Sequence, residues 1–348
     1  MASATLSARD TSWRDLNGIG GGRLALRLDD LLLPGTDVPL YAELAVNLER
    51  SALQVLGRTE VLAIGGAQQR VELPPAFLTA WLAGDDSGEK NAVVDLLGAQ
   101  PAEPLLQVWL EHLDLGDISR FSAEHLGGWG AAGRWLGALN VRGIANNLHF
   151  FFDLERGLGY SASFADLHMQ GYKGAPTLRG AEGRVWGFER GVAARLNSSD
   201  TFMQFPDVYD QGWQLSGTGG ILKAWFGSGY FGLVGSHLRA SIGTTNIAGS
   251  FAITRPQLRI EQRLSLDISA DQLDVALAKA FAPKNLPQAL SRWLEQGPRK
   301  GTVNDARFAY HGQVRLRQGE LARRVELLAD LSKAQVQFEP RWPLVSDI

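Results

Sequence analysis

The sequence contains no cysteine, and this absence excludes disulfide bonds and thiolate metal sites. The absence of cysteine also fits an oxidising compartment such as a periplasm. No run of about 18 apolar residues occurs, so no segment is predicted to cross a bilayer as a helix. The first residues, MASATLSARDTSW, lack the apolar core of a signal peptide. We therefore expect any membrane anchor to lie outside this chain.

The chain also lacks an excess of charge of one sign. Its formal net charge is −3, with 34 Lys and Arg against 37 Asp and Glu, and no window holds a run of like charges. Specific binding to nucleic acid needs a basic stripe that neutralises phosphates. We therefore expect no nucleic-acid partner.

Motifs of catalysis are missing as well. The glycine-rich stretch LSGTGGILKAWFGSG has no GK[ST] and leads into a strand pattern, which favours a turn over a phosphate loop. The six histidines show no tight ligand spacing; His149 and His168 can meet across neighbouring strands, but surface histidines are the simpler interpretation. No GxSxG occurs, and a carboxylate pair distant in sequence stays open. We predict no catalytic residue, no metal site, no cofactor and no enzymatic activity.

Glycine is abundant, with 40 residues spread along the whole chain. The glycines flank segments in which apolar and polar residues alternate, the period of a β-strand. Roughly fifteen strands are predicted from usual strand and loop lengths. The apolar positions that we predict to face inward in the sheet are Leu24, Leu26, Leu28, Leu44, Val46, Leu48, Phe150, Phe152, Leu258, Ile260, Leu264, Leu266 and Ile268.

Short helical insertions are predicted near 74–84, 118–139 and 269–297. The first has Pro74 near its start and Gly84 at its end, which are usual helix boundaries. The third is predicted as a helical hairpin that begins at a capping box of Ser269 and Gln272 and is closed by Gly297. The predicted organisation is a sheet over 1–268, the hairpin over 269–297 and a continuation of the sheet over 298–348.

The predicted fold class is all-β with minor helices: a long, twisted and curved meander sheet. Its helices are too few to cover its apolar face. Either the sheet curls and packs its own core, or the apolar face lines a groove that something else fills. The rings of Trp225, Phe226, Tyr230 and Phe231 lie among glycines, where they either face a ligand or pack over glycine in a twisted sheet.

The segment 286–315, LPQALSRWLEQGPRKGTVNDARFAYHGQVR, resembles the central region of the YhdP family, within the AsmA-like superfamily of bacterial envelope proteins. The segment QFEPRWPLVSDI resembles the aromatic-proline segment of that family, and VELPPAFLTAWL looks like an earlier helical element. The chain departs from the family pattern after Gly312, where LRQGELARRVELL replaces a Phe-Pro segment. The residues that carry the resemblance are Leu290, Trp293, Leu294, Gly301, Phe308, Gly312, Pro340, Trp342 and Pro343.

The resemblance implies a periplasmic fragment of a longer, inner-membrane-anchored envelope protein. It implies the fold of a bridge-like lipid transfer protein, in which an apolar β-groove moves phospholipid between the inner and outer membranes and maintains the outer-membrane permeability barrier. The partners would be phospholipid acyl chains, the two membranes and envelope proteins, and the thirteen apolar positions would contact the acyl chains. The alternative is an envelope scaffold whose strand edge pairs with partners by β-augmentation.

Overall fold

The chain is described by a computed structural model. The residues that it describes are 3–12, 20–31, 40–50, 54–66, 69–81, 106–125, 137–153, 157–188, 190–227, 230–255, 262–284, 288–313, 323–337 and 341–346.

Strands account for most of these residues, which confirms the predicted all-β class with minor helices. The pairings are antiparallel and, apart from that of β4 with β6, join strands that are neighbours in the chain, as in a meander. The strands are β1 (Ser3–Ser12), β2 (Gly20–Leu31), β3 (Leu40–Arg50), β4 (Gln54–Gly66), β5 (Gln69–Glu72), β6 (Ala76–Trp81), β7 (Leu106–Asp114), β8 (Arg142–Asp153), β9 (Gly157–Met169), β10 (Thr177–Phe188), β11 (Gly191–Gln204), β12 (Trp213–Gly227), β13 (Tyr230–Ile242), β14 (Thr245–Arg255), β15 (Arg263–Asp274), β16 (Pro298–Gln313), β17 (Arg323–Val336) and β18 (Val345–Ser346). The helices are α1 (Leu115–His125), α2 (Val275–Ala280) and α3 (Gln288–Gln296).

The helix predicted at 74–84 is wrong, because Ala76–Trp81 is a strand. Strands β5 and β6 run one after the other along β4, separated by Pro74 and Pro75. Proline has no N–H to give to the ladder, so the two prolines break one long strand into two rather than starting a helix. The hydroxyl of Thr59 accepts a hydrogen bond from the Ala76 N–H at 2.6 Å, and this bond replaces a ladder bond at the break.

The helices predicted near 118–139 and 269–297 are present with different boundaries. Helix α1 begins at Leu115, and residues 137–139 form a further helical turn. The predicted capping box is wrong, because β15 continues through Ser269 and Gln272 between two partner strands. The cap of α2 is Asp274, whose carboxylate accepts a hydrogen bond from the Ala276 N–H at 2.7 Å.

The chain divides into two compact units. Unit 1 comprises Met1–Ala165 with Val185–Glu189, and unit 2 comprises Asp166–Arg184 with Arg190–Ile348. Unit 1 has a buried cluster of Ala76, Leu110, Ala145 and Leu148 on strands β6, β7 and β8. Leu115 of α1 packs against this cluster, so the start of the helix is held on the apolar packing of unit 1.

Some of the buried residues of unit 2 lie near its helix α2. Leu273 of β15 pairs with Val303 of β16, and both are buried where α2 contacts these two strands. Just before Leu273, Gln272 has a left-handed backbone with φ of 47°. Its carbonyl accepts a hydrogen bond from the hydroxyl of Thr245 at 3.1 Å. Such an irregularity changes which residues face inward along a strand.

The sequence of β9 changes phase within Tyr160–Met169, from an alternation that ends at Phe164 to one that begins at Ala165, and this change predicts a bulge. The structure places Asp166 there in the left-handed region, with φ of 49°. Phe164 is buried, whereas Ala165 and Asp166 are both exposed, which breaks the alternation.

Candidate functional site

The apolar face of unit 1 is built from residues that pair across its strands. In an antiparallel sheet, directly paired residues point to the same face. Leu26 pairs with Leu44, and Leu44 pairs with Leu62. A second row crosses six strands, β2, β3, β4, β6, β7 and β8, and carries only apolar side chains or glycine: Gly22, Leu48, Gly57, Leu78, Val108 and Phe150.

The apolar face of unit 2 is longer and crosses seven strands, from β11 to β17. Its central row, called the Leu266 row, contains one residue from each strand. Its members are Ala194, Leu222, Gly235, Phe251, Leu266, Tyr310 and Val325. The next row on one side begins at Leu238 and continues through Gly249, Ile268, Phe308 and Leu327. The apolar residues of each strand therefore line up with those of the neighbouring strands and form one continuous apolar surface.

This surface has little cover among the described residues. In the described part of the chain, α2 packs mainly on β15 and β16 and α3 on β16, and no helix packs extensively on β11–β14. Leu264, Leu266 and Ile268 are accordingly only half-buried. A sheet with one apolar face normally buries that face against another layer. In unit 2 the described part of the chain does not supply such a layer.

The opposite face of the sheet, called the polar face, carries ion pairs. In unit 1, Arg23 pairs with Glu60 at 2.6 Å. In unit 2, Arg307 pairs with Asp267 at 2.6 Å, and Ser265 hydrogen-bonds to Nδ1 of His311 at 2.8 Å. Exposed ion pairs add little stability, but they mark a face that is in contact with water.

Most of the predicted inward positions fall on these apolar faces. Leu24 pairs with Val46, Leu26 with Leu44, and Phe152 with Leu106. Leu258 and Ile260 lie outside the described residues. The shared face follows from the pairing, whereas contact with a lipid stays a prediction for every one of these positions.

Several residues of the same faces were missed. Their signal was the same alternation, present in shorter segments or, for Leu78, in the segment misread as a helix. The missed residues are Leu62, Ile64, Leu78, Val108, Leu222, Phe251, Ile253, Phe308 and Tyr310.

The polar face of unit 1 also carries an aromatic ladder. The rings of Trp109 and His149 stack with centroids 4.6 Å apart, and Phe151 meets Phe188 edge-on at 5.1 Å. Gln107 contacts Nε2 of His149 at 3.2 Å. Phe150 and Phe151 thus face opposite sides of β8, as their adjacent positions predict.

Burial lowers the pKa of His149 below its ordinary value of 6.5. The unfolded chain then binds more protons than the folded chain between the lowered pKa and 6.5, so stability falls as pH decreases through that window. We expect the melting temperature to drop from pH 7.5 to pH 5.5 by more in the wild type than in His149→Phe. Differential scanning fluorimetry of both chains at the two pH values measures this. Equal drops contradict this role of His149.

The exposed rings at the β12–β13 hairpin pack over glycine. The ring of Trp225 lies over Gly232, and that of Tyr230 lies over Gly227. Phe226 and Phe231 are tilted neighbours at 5.7 Å. The second of the two sequence interpretations, packing over glycine, therefore accounts for these contacts.

Among the residues described here, no group of three or more His, Asp or Glu side chains is arranged to hold a metal ion. None of the described helices combines the length and the hydropathy of a membrane span.

The sequence model of the family described as YhdP protein matches residues 82–348, which is most of the chain. The chain belongs to the YhdP family. This match includes the motif around Trp293 and Gly301 and the segment with Trp342. Comparison with curated proteins and with solved structures found no significant match.

YhdP-family proteins are associated with the bacterial envelope. In this YhdP-family chain, the family match covers the seven strands that carry the Leu266 row. Part of the family motif lies on α3, which carries Trp293 and contacts β16, and Gly297 ends that helix by donating its N–H to the Trp293 carbonyl at 2.7 Å. Trp293 itself is 38% exposed, and Leu294 is partly buried.

Proposed function

We propose that this chain holds phospholipid acyl chains on its apolar faces and passes them between the inner and outer membranes without catalysis. The observation that carries the proposal is the Leu266 row, which crosses seven strands without a charged side chain. The chain would act as a periplasmic part of an inner-membrane-anchored protein and would maintain the outer-membrane permeability barrier.

The physical need for such a surface is large. Each acyl CH₂ exposed to water costs about 0.8 kcal/mol, so a two-chain lipid faces a barrier of tens of kcal/mol in water. A continuous apolar surface lowers this barrier by solvation alone, because the acyl chain exchanges water for side chains such as Phe251 and Leu266. No nucleophile or general base is required for that exchange.

Native mass spectrometry of the purified chain tests the proposal. For protein that is purified without added lipid, we expect species whose mass exceeds that of the protein by the mass of one or more phospholipids. Partial delipidation with an organic solvent should remove these masses, and incubation with phospholipid vesicles should restore them. A chain that carries no phospholipid in either state contradicts the proposal.

A second candidate function is an envelope scaffold that pairs with a partner strand. It is favoured by β17, where Val325, Leu327 and Leu328 are 52%, 67% and 66% exposed. In the described residues, β18 pairs with β17 only at Gln335 and Val336, so most of the outer edge of β17 has no strand beside it. A free edge of this kind can accept an added strand. Capture of an envelope protein by the delipidated chain would support the scaffold function.

A further inference from the structure

A pocket of about 440 Å³ lies on strands β11, β12 and β13 of unit 2. Arg195 and Asn197 line it from β11, and His237 and Arg239 line it from β13. Arg195 and Asn197 alternate with Ala194, which belongs to the Leu266 row, so they point to the polar face. The side chains of Arg195 and Asn197 thus lie on the face opposite the Leu266 row, although Leu196, on the side of Ala194, also lines the pocket.

The pocket is open between Asn197 and Arg239 because β12 has glycine there, whereas Arg195 lies opposite Ile221 in the neighbouring row. Asn197 pairs with Gly219, and Gly219 pairs with Arg239, in one row across the three strands. Strands two positions apart are about 9.6 Å apart, a gap that a side chain on the middle strand would fill. The side chain of Arg239 lies over Gly219, with Nε 2.9 Å from where a Cβ would stand. This position directs the Arg239 guanidinium toward the β11 side chains.

A bulge in β13 gives the pocket its shape. Three residue steps, from Ser236 to Arg239, face two steps on β12, and the same strand carries an extra residue against β14. His237 takes up the extra length with φ of 52°. Opposite it, Gly220 has φ of 146°, and a Cβ there would meet Leu238 Cα at 3.0 Å. Bulges are frequent beside functional sites because they redirect side chains.

The two arginines of the pocket have no acidic partner within ion-pair distance among the described residues. Within that part of the chain neither Arg195 nor Arg239 forms an ion pair. Lys223 faces the same side from β12, and the nearby residues of that face on β14 are uncharged. The acid on the next strand, Asp267, is already paired with Arg307.

We propose that this pocket binds a phosphate-type oxyanion, either free phosphate or the phosphodiester of a lipid headgroup. The guanidinium groups of Arg195 and Arg239 supply planar pairs of N–H donors that match phosphate oxygens. The amide of Asn197 and the imidazole N–H of His237 are further donors at the same rim. The proposal does not rest on lipid binding by the apolar face, because the two surfaces lie on opposite sides of the sheet.

Isothermal titration calorimetry of the full chain at low ionic strength tests the site with two probes. One probe is inorganic phosphate, and the other is glycerophosphoglycerol, a phosphodiester headgroup without acyl chains. We expect saturable binding that weakens at higher salt, because the pocket is solvent-exposed. Tighter binding of glycerophosphoglycerol identifies a headgroup as the source, and equal or tighter binding of inorganic phosphate identifies free phosphate.

The variant Arg195→Gln/Arg239→Gln is expected to bind the preferred probe at least about tenfold more weakly. The variant Arg239→Lys keeps the charge but loses the planar donors, so an intermediate loss is expected. The matched control is Arg263→Gln/Arg292→Gln, which removes two exposed arginines of the same unit outside the pocket and should bind like the wild type. All three variants should melt like the wild type, because the substituted side chains are exposed.

Two results would overturn the proposal. One is the absence of saturable binding of both probes to the wild type. The other is equal affinity of the wild type and Arg195→Gln/Arg239→Gln for the preferred probe.

Discussion

Leu266→Asp is expected to remove bound phospholipid from the purified chain and to lower the lipid-to-protein ratio at least about tenfold. A tenfold loss corresponds to roughly 1.4 kcal/mol of binding free energy. Leu266 lies in the middle of its row, between Phe251 and Tyr310. A carboxylate there must lose its water when an acyl chain lies on it, and this desolvation disfavours lipid binding. Because the position is only half-buried, the carboxylate stays hydrated in the lipid-free chain, and the fold is expected to survive.

The matched control is Ser265→Asp. It places the same charge on the same strand, one residue earlier and on the polar face, beside His311 at 2.8 Å. We expect this variant to keep its lipid. Native mass spectrometry gives the lipid content and near-ultraviolet circular dichroism gives the fold. If Leu266→Asp unfolds the chain, Leu266 belongs to a packed core; if both variants lose lipid equally, the apolar face is not the binding surface.

Trp213→Ala is expected to lower the free energy of unfolding of unit 2 by about 3–5 kcal/mol, the usual loss for a buried large aromatic residue. Trp213 is 7% exposed. Its ring stacks on Phe281 with centroids 5.0 Å apart and meets Tyr209 edge-on at 4.9 Å. Phe281 directly follows α2, so the contact between Trp213 and Phe281 holds the end of α2 against β12. Urea unfolding followed by circular dichroism measures the loss.

Trp293→Ala is the control for this prediction. It deletes the same side chain from α3 of the same unit, but Trp293 is 38% exposed, so less than half of the Trp213 loss is expected. Hydrogen exchange should show faster exchange of the α2 amides in Trp213→Ala than in Trp293→Ala. Equal losses of stability in the two variants contradict the role of Trp213 as the anchor.

The fold class was predictable because alternation is a local property. Apolar residues two apart, such as Leu264, Leu266 and Ile268, share one face of a strand whatever its partners are. Helix α3 was also predictable, because Gly297 follows its apolar pattern in the sequence and ends the helix in the structure. Both features depend on residues within a few positions of one another.

The failures have a different origin. Pro74 and Pro75 fit a helix start equally well, and only β4 and β7 on either side make Ala76–Trp81 a strand. Ser269 and Gln272 form a good capping box in isolation, but the ladders to β14 and β16 hold Ser269 extended. In both cases pairing with distant strands outweighs a weak local preference.

By itself, the sequence determined an all-β chain with few helices, the positions that share a face, and membership of the YhdP family. The tertiary structure decided which positions meet across strands. The continuous Leu266 row is one result of that pairing, and the position of Arg239 over Gly219, in one row with Asn197, is another. The physical reason is register: one extra residue, as at His237, shifts every later pairing, and its effect depends on strands far away in the chain.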